Sequence, residues 1–186
     1  MSTIGHVFVG AAAGRYSLPP THRIRRLVFF VLLMFIAVAP DLDQSVLPAL
    51  GIPDSVTLGH RGATHSLLVA VVTSLLVGLL ARACGLPFRV VAIGAFIAIG
   101  THSLLDTFSE GPGVTWLWPF NDTRFPVYPI LPSAPANEDL FTRKGLYQLA
   151  AEAVVFAPFL LYAIFAKRNP AAEGSPTIDE SDRPRA

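Results

Sequence analysis

The chain has 186 residues, of which 52% are hydrophobic and 15% charged, and its formal net charge at pH 7 is +1. Soluble globular proteins carry about 25% charged residues, so water is not the only solvent of this chain. A net charge so close to zero supplies no general attraction for nucleic acid, and we expect no nucleic acid binding. Cys84 is the only cysteine, which excludes an intramolecular disulfide and a Cys-x-x-Cys metal site.

Apolar segments predict an all-α fold, a polytopic membrane bundle of about four to five helices with the lipid bilayer as its surroundings. The first segment is too short to cross about 30 Å of hydrocarbon at about 1.5 Å per residue, so it is either a short helix or a re-entrant one. The last carries a single charge, Glu152, and is the clearest transmembrane helix. In chain order the segments are residues 3–14, 27–39, 66–81, 90–106 and 146–166.

A long loop rich in proline and aromatic residues separates the last two segments, and loops of this length are more often functional than idle. We expect residues 1–168 to form one membrane-embedded domain. The polar residues 169–186 predict a disordered tail. The sequence leaves the oligomeric state open.

The charges predict how the chain crosses the membrane. If successive segments alternate in direction, most of the basic residues fall at one end, which the positive-inside rule assigns to the cytoplasm. The N-terminus is then outside, the C-terminal tail is cytoplasmic, and the long loop is extracytoplasmic. The basic residues concerned are Arg15, Arg23, Arg25, Arg26, Arg82, Arg89, Lys167 and Arg168.

Most of the histidines and several aspartates fall at the opposite end of the predicted bundle. His102 and Asp106 are spaced i, i+4, which places both on one face of a helix. Imidazole and carboxylate together suit Zn²⁺, Mn²⁺ or Fe²⁺ better than Ca²⁺, and zinc is the first choice. One ion or two can be accommodated. The candidate metal ligands are His6, Asp41, Asp43, His60, His65, His102 and Asp106.

The segment 59–66 places two of these histidines, an arginine and a glycine just before a helix. Gly62 allows a close turn of the backbone. Thr64 or Ser66 is expected to cap the helix that follows. Arg61, with its planar guanidinium, is a candidate to bind the negative charge of a substrate.

These motifs together resemble the YdjM-like family, inner-membrane proteins described as predicted metal-dependent hydrolases. The resemblance implies a hydrolytic site and a further acidic residue after the Trp-Pro motif. Glu138 and Glu152 both qualify, and the cost of placing a charge in a membrane helix favours Glu152. The motifs are Gly5-His6, Pro40-Asp41-Leu42-Asp43, His60-Arg61-Gly62-Ala63-Thr64-His65-Ser66-Leu67, His102-Ser103-Leu104-Leu105-Asp106 and Trp118-Pro119.

The helical His-x-x-x-Asp pair is also similar, more loosely, to the zinc-dependent phospholipase C and single-strand nuclease superfamily. The expectation is therefore a membrane-bound metal-dependent hydrolase of esters or phosphoesters, lipids included. Arg61, Asp43 and Glu152 are its candidate catalytic residues. The alternatives are a divalent-metal transporter and a membrane protein without enzymatic activity.

Overall fold

The computed structural model describes residues 3–18, 23–52, 57–131 and 142–167. Within them the secondary structure is helical apart from one isolated bridge between Val114 and Phe125, which confirms the predicted all-α class. The predicted tail, Arg168 and Glu138 lie outside the described residues. The helices are α1 (Thr3–Ser17), α2 (Arg23–Val38), α3 (Asp43–Ala49), α4 (Leu67–Ala83), α5 (Phe88–Thr107) and α6 (Arg143–Phe165).

Three stretches are long and apolar enough to cross a membrane, namely Arg23–Ala49, Phe88–Thr107 and Arg143–Phe165, and α4 is a shorter apolar helix. Large apolar side chains cover their outer faces: Leu76 of α4 is 61% exposed and Val154 of α6 is 74% exposed. Exposed apolar area of this extent is unfavourable in water and is what lipid tails cover. The chain is a multi-pass membrane protein.

Helix α1 is enclosed by other helices, because it packs against α2, α5 and α6. Two glycines of α1 allow α2 to pack closely against it. A Cβ on Gly10 would lie 2.8 Å from the Cβ of Ala37, and one on Gly14 would lie 2.7 Å from the ring of Phe30. Small residues serve this purpose at helix contacts in membranes. The first segment is thus a short helix inside the bundle.

The second apolar segment was predicted to end at residue 39, but the helical path continues past Asp41 and Asp43. A 3₁₀ turn, Ala39–Leu42, follows α2 and leads directly into α3. Pro40 lacks an N–H and lies in the first turn of that 3₁₀ helix, and the N–H of Asp43 donates to the carbonyls of Pro40 and Asp41. The tighter turn changes the direction of the side chains, so that Asp41 and Asp43 contact different neighbours.

Basic residues tie the helix ends together at one end of the bundle. Arg15 of α1 donates from Nε and Nη2 to the carbonyl of Ala166, just after α6. Arg25 of α2 donates to the carbonyl of Cys84 in the turn between α4 and α5. The first turn of α2 and the final turns of α1, α4 and α6 therefore share an end, as alternating segments predict. The candidate metal ligands lie at the other.

Candidate metal centre

Four acidic and imidazole side chains from separate segments meet at the end of the bundle opposite these arginines. His102 and Asp106 come from the last two turns of α5, His65 from a 3₁₀ turn before α4, and Asp41 from the 3₁₀ turn after α2. One donor atom from each lies within 4.8 Å of all the others. His65, His102 and Asp106 are fully buried, and Asp41 is 25% exposed. We call these four residues the donor tetrad.

Five of the six donor–donor distances within the donor tetrad are close to those of a tetrahedral metal site. His102 Nε2 lies 3.1 Å from His65 Nε2 and 3.3 Å from Asp41 Oδ1. Asp106 Oδ2 lies 3.3 Å from His65 Nε2 and 3.5 Å from His102 Nε2. His65 Nε2 and Asp41 Oδ1 are 3.7 Å apart. Four ligands at about 2.0–2.1 Å from a zinc ion would be about 3.3–3.4 Å from one another, so these residues fit a zinc-sized cation.

The hydrogen bonds on the far side of each ring orient both histidines for ligation. His102 Nδ1 donates to the carbonyl of Ala37 over 2.7 Å, and a carbonyl can only accept. His65 Nδ1 donates to the hydroxyl of Thr64 over 2.9 Å, and that hydroxyl donates in turn to Asp43 Oδ2. In the neutral form each imidazole therefore turns its Nε2 lone pair toward the tetrad. Outer partners of this kind usually fix the ring of a metal-binding histidine.

A second group of possible ligands lies on the other side of the His65 ring. It consists of Asp43, His60 and His65. His60 Nδ1 is 2.8 Å from Asp43 Oδ1, and His65 Nδ1 is 3.4 Å from Asp43 Oδ2. Both oxygens of Asp43 thus have a hydrogen-bonding partner, His60 for one and Thr64 for the other. His65 stands between the two groups, with Asp41 beside Nε2 and Asp43 beside Nδ1.

The electrostatic environment of His65 favours positive charge. Burial opposes protonation of this ring, but hydrogen bonding to the carboxylates of Asp106, Asp41 and Asp43 outweighs it and raises the pKa of His65 to about 10. The three carboxylates around this ring therefore favour positive charge, and a divalent cation could supply it in place of a proton, because metal ligands must be deprotonated.

His6 of α1 lies against the donor tetrad and is 1% exposed. Its ring stacks on that of His102, with the centroids 3.8 Å apart. Within the described part of the chain neither nitrogen of His6 is hydrogen-bonded, and its Nε2 lies 3.7 Å from Asp106 Oδ1. A buried imidazole with unsatisfied nitrogens is costly in a purely structural role, which favours one in ion binding.

The chain matches the profile of the YdjM inner membrane proteins over residues 1–171. It belongs to the YdjM inner membrane protein family. This confirms the resemblance drawn from the motifs, and with the apolar helices it identifies a multi-pass protein of the inner membrane.

One curated relative of this YdjM-family chain is the inner membrane protein YbcI of Escherichia coli strain K12. The two are 35% identical over 122 residues, which cover 63% of this chain and 64% of YbcI. The match therefore spans somewhat less than two thirds of either protein. No solved structure matches the chain significantly.

Arg61, predicted as a catalytic residue of the YdjM-family site, is 2% exposed and contacts the tetrad through Asp106. Its Nη1 donates to the carbonyls of Asp106 and Pro112, and its Nη2 lies 3.3 Å from Asp106 Oδ1. Nη2 also donates to the Ser109 hydroxyl and the Glu110 carbonyl. The four terminal N–H groups are thus used by the chain itself. This geometry favours a positioning role, and anion binding by Arg61 stays a prediction.

The turn that carries Arg61 depends on two neighbouring glycines. Arg61 has a positive φ of 60°, and a Cβ on Gly62 would lie 2.5 Å from the carbonyl oxygen of Thr57. Gly111 has a φ of 144°, and a Cβ there would lie 2.6 Å from Arg61 Nη1. The close turn at Gly62 brings the backbone against the carbonyl of Thr57. Ser66, not Thr64, caps α4 by accepting from Val69 N–H.

Glu152 is fully buried in the middle of α6, yet it is in neither group of possible ligands among the described residues. Its catalytic role stays a prediction. Sequence patterns do not indicate a role for the carbonyl of Ala37 or for Ser109, because neither residue type suggests a site. Thr64 was noticed only as a possible cap, whereas the structure places its hydroxyl between Asp43 and His65.

Proposed function

We propose that this protein is a membrane-bound, metal-dependent hydrolase of an ester or phosphoester. The donor tetrad holds the ion, and zinc is the first choice because two imidazoles and two carboxylates in tetrahedral spacing suit it, with manganese and iron as alternatives. The observation that carries the proposal is the agreement of the tetrad distances, 3.1–3.7 Å, with that geometry. The ion would supply Lewis acidity, which polarises an ester or phosphoester bond.

The chain's own residues divide into those that face the ion and those that fix them. Asp41 is the most exposed member of the tetrad at 25%, so substrate and water would approach from its side. Asp43, Thr64 and His60 hold the ring of His65 in place. Arg61 holds Asp106 and the loop after α5. Asp43 and Glu152 are the remaining carboxylate candidates for a general base.

One ion with an outer shell explains the second group better than two ions do. A second ion at Asp43 and His60 would need His65 to bind through both nitrogens at once. The hydrogen bond between Thr64 and Asp43 would also have to break. The hydrogen-bonded chain from His65 through Thr64 to Asp43 needs no such change. Hydrogen bonds of this kind typically orient a metal-binding histidine. Ligation by His60 and Asp43 is therefore the less favoured arrangement.

A cation transporter is disfavoured by where the donors lie. Transport sites lie near the middle of the bilayer and open alternately to both sides. Here the tetrad lies in the final turns of α5 and just before α4 begins. An ion held there is near one surface of the membrane, which suits an enzyme acting at that surface.

Hydrolysis is tested with purified full-length protein loaded with zinc or manganese, using bis(p-nitrophenyl) phosphate, p-nitrophenyl acetate and a phospholipid in mixed micelles. We expect turnover that a chelator abolishes and that added metal restores. Asp106→Asn should lower the rate at least about 100-fold, since removing a metal ligand removes the Lewis acid. Asp122→Asn, at an exposed loop carboxylate, is the matched control and should keep full activity. Metal-loaded protein that hydrolyses none of these bonds would contradict the proposal.

We also propose that the tetrad faces away from the cytoplasm. Arg15 and Arg25 lie at the other end of the bundle, which the positive-inside rule assigns to the cytoplasm. The test places one cysteine at a time in a Cys84→Ser background. An impermeant maleimide added to intact spheroplasts should label Asp122→Cys, and it should label Arg82→Cys only after lysis. Both positions are exposed, so access to the residue is matched. The reverse pattern would invert the orientation.

A further inference from the structure

A cavity lies at the end of the bundle opposite the metal centre, where α1, α2 and α6 meet. Its volume is about 350 Å³, and α6 contributes Ala163 to its wall. Three arginines line it, Arg15 from α1 and Arg23 and Arg26 from the start of α2. Leu18, Leu27 and Phe30 form its apolar part. We call this the basic cavity.

Charge and position give the basic cavity its chemistry. Its described lining contains three guanidinium groups and no carboxylate. The side chain of Arg15 is fixed by its hydrogen bonds to the carbonyl of Ala166, so one cation is already positioned before any ligand arrives. Arginines bind phosphate oxygens through two parallel hydrogen bonds. The cavity therefore suits a phosphate group.

The apolar half of the cavity decides which kind of phosphate fits. Leu27 is 61% exposed and lies next to the arginines along the outer face of α2. Since Arg23 begins a span that crosses the membrane, the cavity lies at the level of the lipid headgroups. A free phosphate ion would gain nothing from the leucines and Phe30. A phospholipid places its phosphate among the arginines and its acyl chain along Leu27.

We propose that the basic cavity is a binding site for one anionic phospholipid, whose headgroup phosphate lies between Arg15, Arg23 and Arg26. Basic pockets between membrane helices are known to take acidic lipid headgroups. The site is separate from the metal centre and does not depend on the proposed hydrolysis. A lipid held there joins the ends of α1, α2 and α6, which already meet through Arg15 and Ala166.

The test uses the full-length protein in detergent, titrated with phosphatidylglycerol or with phosphatidylcholine of the same acyl chains, and bound lipid is counted by native mass spectrometry. The variant is Arg23→Gln/Arg26→Gln. Its matched control is Arg82→Gln/Arg89→Gln, which removes the same charge from exposed arginines at the same end of the bundle but outside the cavity. Inorganic phosphate and glycerol phosphate are added as competitors.

The wild type should bind one phosphatidylglycerol at least about tenfold more tightly than phosphatidylcholine, and the cavity variant should lose that preference. The control should stay within about twofold of wild type. Equal losses in the two variants would show a general basic collar, and full competition by inorganic phosphate would show a simple anion site; either result overturns the proposal. If the glutamine variant does not fold, Arg23→Lys/Arg26→Lys keeps the charge and should still weaken phosphatidylglycerol binding severalfold, since lysine lacks the bidentate fork. Unchanged binding in that variant would also overturn it.

Discussion

Asp106→Asn should bind zinc at least about 100-fold more weakly than the wild type while the helices keep their fold. Asparagine has nearly the same shape, but it removes the negative charge that lies 3.3 Å from His65 Nε2 and 3.5 Å from His102 Nε2. A cation in the tetrad would then face one carboxylate instead of two, and a neutral amide is a poor ligand for zinc. Metal content after dialysis, together with a competition titration against a chromogenic chelator, measures the effect.

Two further variants complete this measurement. His102→Ala should lose the metal as well, because it removes the donor closest to His65 Nε2, at 3.1 Å. Asp122→Asn should retain the wild-type stoichiometry, since this carboxylate is exposed in the loop. The metal centre would be refuted by a wild type that binds no zinc, manganese or iron, or by an Asp106→Asn protein that binds as tightly as the control.

Arg61→Gln should unfold at a markedly lower temperature than the wild type, with a loss of about 3–5 kcal/mol in the free energy of unfolding. The guanidinium is 2% exposed and hydrogen-bonds four partners from the end of α5 and the loop after it. Its removal breaks the ion pair with Asp106 and takes one donor from each of the carbonyls of Asp106, Glu110 and Pro112. Arg61→Lys should rescue little, because one ammonium group cannot span these partners. Thermal unfolding followed by tryptophan fluorescence gives the comparison.

The same variant separates two roles for Arg61. If Arg61 positions Asp106, stability and metal affinity fall together, and hydrolysis falls with them. An Arg61→Gln protein with the wild-type melting temperature and metal content, but without hydrolysis, would instead support direct binding of substrate anions. Arg143→Gln, at an exposed arginine in the first turn of α6 at the same end of the bundle, is the control and should leave all three quantities unchanged.

Much of the candidate site could be predicted from local spacing. His102 and Asp106 share a helix face because they are four residues apart in an apolar helix, and both are fully buried there. His65 was predicted from its place just before an apolar segment, and Ser66 from its place at a helix start. These features depend on a few neighbouring residues, which is why one sequence suffices to find them.

The different contacts of Asp41 and Asp43 could not be predicted from local spacing. The two residues are separated only by Leu42 and look equivalent in the sequence, and both were predicted as ligands. The 3₁₀ turn that contains Pro40 points Asp41 at the tetrad, and Asp43, which follows it, at His60 and Thr64. The direction of each side chain was set by backbone geometry that the pattern of apolar residues does not encode.

The sequence by itself determined that this is a helical membrane protein with most of its histidines and several acidic residues at one end of the predicted bundle, and its motifs carried the resemblance to the YdjM family. Composition and the length of the apolar segments are enough for the helical membrane class, since the bilayer allows few spanning structures. The tertiary structure decided which of those residues converge, through contacts as distant as His102 with the carbonyl of Ala37. It also turned Arg61 toward Asp106. Such contacts depend on how whole helices pack, and packing is decided by the surfaces of several segments together.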